Sequence, residues 1–249
     1  MNIGYLGNFN FGLRALSQNQ DLVSDSLEKL ATGKRINRAS DDPSGMVASE
    51  GMKARIYSIE SELKSFNQQE FFLGAKEGGL SVISDQFQTL NAIVVQAANL
   101  TDASAEEQDA LKVEINSIIT GIDQIVNTTS FKGEYILSEY SNLSDSQDFG
   151  NLAELIFDDP QAAQEFVTDT INKVATKRGA IGNQLRDIDS RRNVLNEEFE
   201  ALTGSLSQIE DVDYAKEASN LVRAQILESA SIAAIEISRD SAKQLLGLL

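Results

Sequence analysis

Pairs of adjacent carboxylates are the side chains in this sequence with the most obvious potential for chemistry. Paired acids can serve as a general acid and a general base, or bind a divalent cation. On a helix, however, adjacent residues point about 100° apart, so the two acids do not converge on one substrate. We interpret the following pairs as solvated surface: Asp41–Asp42, Glu106–Glu107, Asp158–Asp159 and Glu197–Glu198.

The residue types that are missing exclude most other chemistry. The 249 residues include no His and no Cys. The chain therefore has no imidazole base, no thiol nucleophile, no thiolate metal site and no disulfide. The segment Thr32–Arg35 has neither the spacing nor the preceding strand of a phosphate-binding loop. We predict that this protein is not an enzyme and has no catalytic, cofactor-binding or metal-binding residues.

The net charge of the chain is strongly negative. It contains 21 Lys and Arg against 38 Asp and Glu, a formal net charge of −17. Such a surface repels phosphate backbones and anionic lipids. No apolar run approaches the ~18 residues of a membrane span, and the N-terminus lacks the pattern of a secretory signal. We therefore expect neither nucleic acid nor a membrane as a partner.

One small basic group stands out against this acidic background. Lys34, Arg35 and Arg38 lie just before Asp41 and Asp42. The group could form salt bridges within a turn or bind an external anion. We favour the salt bridges, because the acids are so close in sequence.

Helical periodicity indicates the elements that carry these residues. Apolar residues recur at spacings of 3, 4 and 7 over residues 13–30, 56–94, 111–125, 167–209 and 212–237. A repeat held over several heptads favours coiled-coil packing, and the two prolines interrupt little of the chain. The last of these runs consists of Val212, Ala215, Val222, Ile226, Ala233 and Ile237.

Local signals mark where helices begin. Asp42 before Pro43 predicts an N-cap followed by proline at the first helical position. Ser104 and Glu107 form a capping-box pattern. Gly78–Gly79, within the second run, indicates close packing, a bend or a tolerated defect.

The chain lacks helical pattern only over residues 131–160. Within it, Lys132–Leu137 could form a short strand, and the Ser, Asn, Asp and Gly residues that follow are typical of turns. We therefore predict an all-α fold: a long antiparallel coiled-coil helical hairpin with a short irregular or β-hairpin-like turnover segment.

Both ends of the chain are apolar. Four leucines fall within the last five residues, and the first eleven residues include Tyr5, Leu6, Phe9 and Phe11. The two ends either pack on each other or form interfaces for partners. A single helix buries only one stripe, so we favour the interfaces. A self-assembling subunit is the class of protein that this pattern describes.

Two segments resemble the signatures of bacterial flagellins. Leu27–Gly45 is similar to the N-terminal signature of that family almost throughout, and Ile209–Leu227 is similar to the C-terminal signature. Lys177–Gln184 resembles the segment that opens the returning core helix of the family. The resemblance covers residues 13–137 and 174–249.

The resemblance implies a structural subunit of the bacterial flagellar filament, which serves motility. Such subunits are exported by the flagellar type III pathway and form an open helical homopolymer. Partners implied besides the chain itself are the flagellar cap, junction proteins and an export chaperone. The implied location is secreted, in a flagellum that is extracellular, or periplasmic if the filament is internal. The alternative within the same organelle is the hook–filament junction protein.

The resemblance also implies a domain division. Residues 1–40 would form an N-terminal inner-tube helix and linker, 41–211 a coiled-coil core with the turnover at about 131–160, and 212–249 a C-terminal inner-tube helix. Since only about 138–157 lies between the two core halves, we expect a minimal form without the variable outer domains.

Polymerisation and inner-tube packing are assigned by the same resemblance to residues in the two signatures and at the C-terminus. These are Leu13, Leu16, Val23, Leu27, Leu30, Gly33, Arg35, Ile36, Asn37, Asp41, Asp42, Gly45, Asp213, Tyr214, Asn220, Val222, Arg223, Gln225, Ile226, Leu245, Leu246, Leu248 and Leu249. Some flagellins present a receptor surface at positions that align near Thr89, Ile93 and Glu114. Thr89 stands where the family has an arginine, a departure that argues against receptor recognition.

Overall fold

A computed structural model describes residues 3–99, 104–143 and 152–246 of the protein. The helices are α1 (Ile3–Thr32), α2 (Pro43–Ala98), α3 (Ala105–Thr128), α4 (Leu152–Asp158), α5 (Pro160–Glu210) and α6 (Tyr214–Leu246). Two short strands, β1 (Ser130–Phe131) and β2 (Glu134–Tyr135), and a 3₁₀ helix (Ser138–Leu143) lie between α3 and α4. The predicted all-α class is confirmed.

The described residues form two compact units. The first takes the chain up to Ile59 and from Glu197 onward, and the second is Glu60–Asn196. The first unit therefore contains α1, α6, the start of α2 and the end of α5. The second contains the rest of α2 and α5 together with α3, α4 and the two strands.

Both predicted helix starts are confirmed. The Asp42 carboxylate accepts a hydrogen bond from the Gly45 amide at 2.9 Å, and Pro43 is the first residue of α2. The Ser104 hydroxyl accepts from the Glu107 amide, and the Glu107 carboxylate accepts from the Ser104 amide in return. These reciprocal bonds satisfy backbone donors that a helix N-terminus leaves without intrahelical partners.

Apolar residues spaced by three and four build the core of the second unit. Among the buried positions of α2, one stripe advances by steps of 3, 4, 3, 4 and 3, the spacing of a coiled-coil seam. Those positions are Leu80, Ile83, Phe87, Leu90, Val94 and Ala97. In this unit α2 and α5 are antiparallel, since Glu70 pairs with Arg192 and Glu77 with Arg178.

The turnover segment contains more structure than the sequence predicted. Strands β1 and β2 pair antiparallel, with Phe131 opposite Glu134. Lys132 and Gly133, at φ 54° and 88°, form the turn between them, and a left-handed pair of this kind suits a two-residue hairpin. The β-hairpin-like expectation is confirmed.

The expectation that residues 131–160 lack helix was wrong in one place. Leu152–Asp158 forms α4, which packs on α3 through a buried face that includes Leu152 and Ile156. Two turns of helix are too short to show a heptad period, so tertiary packing rather than pattern defines α4. The next helix, α5, begins at Pro160, and Asp159 caps it by accepting from the Ala162 amide at 3.0 Å.

The two central glycines of α2 differ in their surroundings. A Cβ at position 79 would lie 2.6 Å from Cδ1 of Leu137, whereas position 78 has no neighbouring atom within 4 Å. The helix continues through both residues. The close-packing interpretation is therefore confirmed for Gly79, and Gly78 is simply tolerated.

Candidate functional site: the α1–α6 helix pair and its junction

The first unit is built around an antiparallel pair of long helices, α1 and α6. The Ser26 hydroxyl donates to the Glu217 carboxylate at 2.6 Å, and the Asn19 side-chain amide donates to the Ser231 hydroxyl at 2.8 Å. These two bonds advance in opposite directions along the two helices. Polar side chains therefore contribute to the contact between the two helices.

Large apolar side chains lie on the outer faces of this pair. All of the following are at least 43% exposed: Phe11, Leu13, Leu22 and Leu27 on α1, and Val222, Ile226, Leu227, Ile232 and Ile237 on α6. Large exposed apolar patches are rare on monomeric proteins and mark sites of interaction. Leu16, Val23 and Leu30, which belong to the same predicted set, are half-buried.

The apolar heptad run predicted for α6 does not face α1. Ile226 and Ile237 on that run are 63% and 68% exposed, while Ala224, on nearly the opposite face of the helix, is 4% exposed. Position 235 contacts α1, because a Cβ on Gly12 would lie 2.9 Å from Ile235 Cγ1. In a single chain the heptad stripe is thus left without a partner helix within the described part of the chain.

A shallow groove lies beside this stripe. It has a volume of about 570 Å³ and is lined by α1 residues Gly12 and Ala15 and by α6 residues Ala230, Ala234 and Ile237, among others. Its walls are mostly apolar and carry no ionisable group. The groove is suited to an apolar side chain rather than to catalysis.

A short antiparallel backbone bridge, called the clamp below, joins the α1–α2 linker to the α5–α6 linker. Lys34, after α1, and Asp211, after α5, form an antiparallel bridge. The Arg35 amide donates to the Glu210 carbonyl at 2.6 Å, and the Val212 amide donates to the Gly33 carbonyl at 3.0 Å. The Arg35 guanidinium also donates to the Ile209 carbonyl at 2.7 Å.

Gly33 occupies a position at this clamp that only glycine suits. Its φ is +72°, in the left-handed region, and its amide donates to the Lys29 carbonyl as α1 ends. A Cβ there would lie 2.8 Å from the Tyr214 hydroxyl. Conformation and contact both require glycine here.

The segment that follows Gly33 is ordered by one carboxylate. Asp41 accepts hydrogen bonds from the Arg38 amide at 2.8 Å and the Asn37 amide at 3.0 Å, and these bonds lower the pKa of Asp41. The Asn37 side chain donates in turn to the Lys34 carbonyl. Between them Ile36 is buried, and a Cβ at Gly45 would lie 2.7 Å from its Cδ1.

The basic group Lys34, Arg35 and Arg38 is held within the protein, with different partners from those expected. Lys34 pairs with Glu210 at 2.9 Å and Arg38 with Glu28 at 2.5 Å. The salt-bridge interpretation was therefore correct in kind, but Asp41 and Asp42 accept backbone amides instead. Glu210 and Glu28 compensate Lys34 and Arg38, while the Arg35 guanidinium donates to a backbone carbonyl.

Sequence analysis missed the central acid of this junction. Glu210 is 7% exposed and receives Lys34 and also Lys53, whose Nζ lies 2.8 Å from its carboxylate. Burial acts to raise the pKa of Glu210, but the hydrogen bonds from Lys53 and Lys34 outweigh it and the pKa is lowered. The available signal was an acid placed between the apolar residues Ile209 and Val212.

The remaining predicted residues lie mostly along α6. Asp213 caps α6 by accepting from the Ala215 and Lys216 amides, and the Asn220 side chain donates to Glu217. Tyr214, Val222, Arg223 and Gln225 are exposed. Leu245 and Leu246 end α6 but their side chains lie outside the described ones, and Leu248 and Leu249 lie outside the described residues.

The three aligned receptor positions do not share one surface. Thr89 and Glu114 are exposed, whereas Ile93 is 6% exposed and belongs to the core of the second unit. The Thr89 hydroxyl donates to the Asp85 carbonyl of its own helix. These positions stay a sequence-based expectation.

Two further features bear on the class of protein. Within residues 3–99, 104–143 and 152–246, no three acids cluster as a cation site would require. Over the same residues, none of the helices has the length and apolarity needed to cross a bilayer.

An all-α chain with a capped, clamped helix pair and outward apolar stripes defines a class of protein that assembles with copies of itself. Comparison with known families is specific. The family model for the bacterial flagellin N-terminal helical region matches residues 8–142, and that for the C-terminal helical region matches 165–249. The chain belongs to the bacterial flagellin family.

Full-length relatives agree with this assignment. The chain is 27% identical to a flagellin of Halalkalibacterium halodurans, with 95% of each chain covered, and 27% identical to a flagellin of Bacillus subtilis, covering 95% of this chain and 96% of that one. It is 26% identical to the flagellar filament 33 kDa core protein of Treponema phagedenis, with 96% of each covered. Only residues 143–164 lie between the two family matches, so this flagellin lacks the variable outer domains.

Proposed function

We propose that the protein is a structural subunit of the bacterial flagellar filament, used for motility, and that it polymerises through the exposed apolar faces of α1 and α6. The single observation that carries this proposal is the heptad stripe of α6, which faces away from α1. Burying such surface is favourable by about 25 cal/mol per Å² of apolar area removed from water. A second copy of the chain supplies an apolar face that covers this stripe.

The relatives support the same function. The Treponema phagedenis protein is named a flagellar filament core protein, and the other two are named flagellins. These comparisons lend no support to the alternative of a hook–filament junction protein. Contacts between different surfaces of identical subunits generate an open helical filament when the rotation between subunits does not close into a ring.

Within the filament we assign the helix pair to the inner tube. Residues 1–40 and 212–249 provide it, and 41–211 form the surrounding core with its turnover at 131–160. The predicted polymerisation residues on α1 and α6 then make contacts between subunits. Those at the clamp, such as Gly33, Arg35 and Asp41, set the direction in which the pair leaves the core.

The proposal extends to partners and location. We infer export by the flagellar type III pathway with an export chaperone, and contact with the cap and the junction proteins at the two ends of the filament. The filament would be extracellular, or periplasmic if it is internal. The role is structural rather than catalytic, in keeping with a family of structural proteins.

Polymerisation of a surface variant tests the proposal. Ile226→Gln removes an apolar side chain from the stripe, and Val47→Gln, at a 76% exposed position of α2, is the matched control. We expect Ile226→Gln to raise the critical concentration for filaments at least about tenfold, equivalent to about 1.4 kcal/mol. Sedimentation and electron microscopy measure this. A wild-type chain that stays monomeric at high concentration, or equal effects of the two variants, would overturn the proposal.

A further inference from the structure

Glu210 lies where three segments of the first unit meet. It is the last residue of α5, and its carboxylate receives Lys34 from the α1–α2 linker at 2.9 Å and Lys53 from α2 at 2.8 Å. Its side chain is 9% exposed, so the charge is largely removed from water. Removing any one of these three groups would leave buried charge uncompensated, so the stability of the cluster depends on all of them.

The backbone of the same residue belongs to the clamp between the linkers. The Glu210 carbonyl accepts from the Arg35 amide, and two residues later Val212 donates to the Gly33 carbonyl. One residue therefore ties the α1–α2 linker to the α5–α6 linker through its main chain and its side chain. Movement of either linker must break an ionic contact as well as backbone hydrogen bonds.

The clamp lies directly against the first contacts between α1 and α6. Gly33 is in contact range of Tyr214, and Ser26, about two turns earlier on α1, bonds to Glu217, about one turn later on α6. The axial register of the two helices is thus set from this end. That register decides which outer residues of α1 stand beside which outer residues of α6.

We propose that Glu210 is a positioning residue for assembly, which holds α1 and α6 in the register that presents their apolar faces to a neighbouring subunit. The inference rests on the proposed polymerisation through these helices. The Glu210 carboxylate works within one chain rather than by direct contact with a neighbouring copy. It acts through Lys34, Lys53 and the clamp.

A second ion pair in the same unit provides the comparison. Glu198 of α5 pairs with Arg55 of α2 at 2.7 Å, so it links the same two helices. Both of its side chains are more than a third exposed, and such pairs contribute little to stability. The ion pair of Glu198 is with α2 rather than with a linker, which makes Glu198→Gln a matched control for loss of one charge.

The pH dependence of assembly distinguishes a role for the charge of Glu210 from a role in packing alone, because only the charge titrates. The groups facing Glu210 are Lys34 from the linker and Lys53 from α2, which also contacts Glu50 at 3.1 Å. The pKa of Glu210 is lowered from its ordinary value of 4.5. Its contribution is therefore present above 4.5 and is lost as the pH falls through the lower folded-state value.

The experiment uses the full chain and compares wild type, Glu210→Gln, Lys53→Gln and Glu198→Gln. Far-UV circular dichroism first establishes that each variant is folded. We expect Glu210→Gln to raise the critical concentration at least about tenfold, Lys53→Gln to raise it by less, and Glu198→Gln to leave it within about twofold. In filaments formed above each critical concentration, the Arg35 and Val212 amides should exchange faster in Glu210→Gln.

The pH profile completes the test. Below pH 4.5 the critical concentration of wild type and of Glu198→Gln should rise more steeply than that of Glu210→Gln, which no longer titrates at this site. Equal critical concentrations for Glu210→Gln and Glu198→Gln, or parallel pH profiles for all variants, would overturn the inference. If wild type itself forms no filament, the proposed function fails instead, so the two failures are distinguishable.

Discussion

Gly12 of α1 lies so close to Ile235 of α6 that a Cβ at position 12 would stand 2.9 Å from Ile235 Cγ1. A bulky residue at this point would hold the two helices apart. The absence of a side chain lets them approach, so Ile235 packs against the backbone of α1. Ile226 and Ile237, on other faces of α6, remain exposed.

Gly12→Ala should therefore weaken the helix pair despite its better helix propensity. Overpacking costs about 1–3 kcal/mol, against a propensity gain of about 1 kcal/mol. We expect a higher critical concentration for filament formation. Gly51→Ala is the control, since no atom lies within 4 Å of its added Cβ. The free energy of unfolding of Gly51→Ala should rise by about 1 kcal/mol. A similar gain for Gly12→Ala would contradict the packing argument.

Gly79 and Gly78 offer a paired test in the second unit. Alanine at 79 would approach the fully buried Leu137, while alanine at 78 meets nothing within 4 Å. We expect Gly79→Ala to be about 1–3 kcal/mol less stable than Gly78→Ala. Thermal unfolding followed by circular dichroism measures the difference. Identical melting temperatures would show that Leu137 moves aside without cost.

Asp42 should give a local acid transition at the start of α2. The Gly45 amide and then the Ser44 hydroxyl donate to its carboxylate, and these bonds lower the pKa of Asp42 from its ordinary value of 3.8. A carboxyl whose folded-state pKa is depressed stabilises above 3.8 and loses that effect as the pH falls through the lower value. The Gly45 amide shift, followed by NMR, should titrate there in wild type.

Asp42→Asn separates this effect from general acid unfolding. Asparagine keeps an N-cap oxygen but does not titrate, so the Gly45 amide should show no transition in that range. Asp158→Asn also removes one negative charge, at an exposed position near the end of α4, and should retain the transition. A transition that persists in Asp42→Asn would assign it to another group.

Removal of residues 244–249 tests the role of the C-terminal leucines. This change deletes Leu245, Leu246, Leu248 and Leu249 and leaves the contacts of Asn19 and Ser26 with α6 in place. We expect a folded protein that does not polymerise, because burial of these side chains between copies contributes to assembly. Electron micrographs that show normal filaments from the truncated chain would refute this.

The sequence predicted the elements of this protein well because their causes are local. Steps of 3 and 4 residues along α2 define a helix with one apolar stripe wherever the chain is placed. Asp42 and Ser104 act on amides within three residues, so their caps need no distant partner. Family resemblance rests on the same local signatures, at residues 27–45 and 209–227.

The sequence did not predict which helix packs against which face. The outward direction of Ile226 depends on where α1 packs, and that depends on a close approach at Gly12 and on hydrogen bonds between residues about two hundred positions apart. Periodicity shows that a stripe exists but not which helix covers it. The short α4 likewise exists because α3 covers its apolar face.

What the sequence determined by itself is an all-α chain with capped helices, no histidine or cysteine chemistry, and the family signatures. What only the tertiary structure decided is which face of α6 remains open and that Glu210 receives both Lys34 and Lys53. The physical reason is range. Helix periodicity and capping act over a few residues, whereas burial and ion pairing act between segments that folding alone brings together.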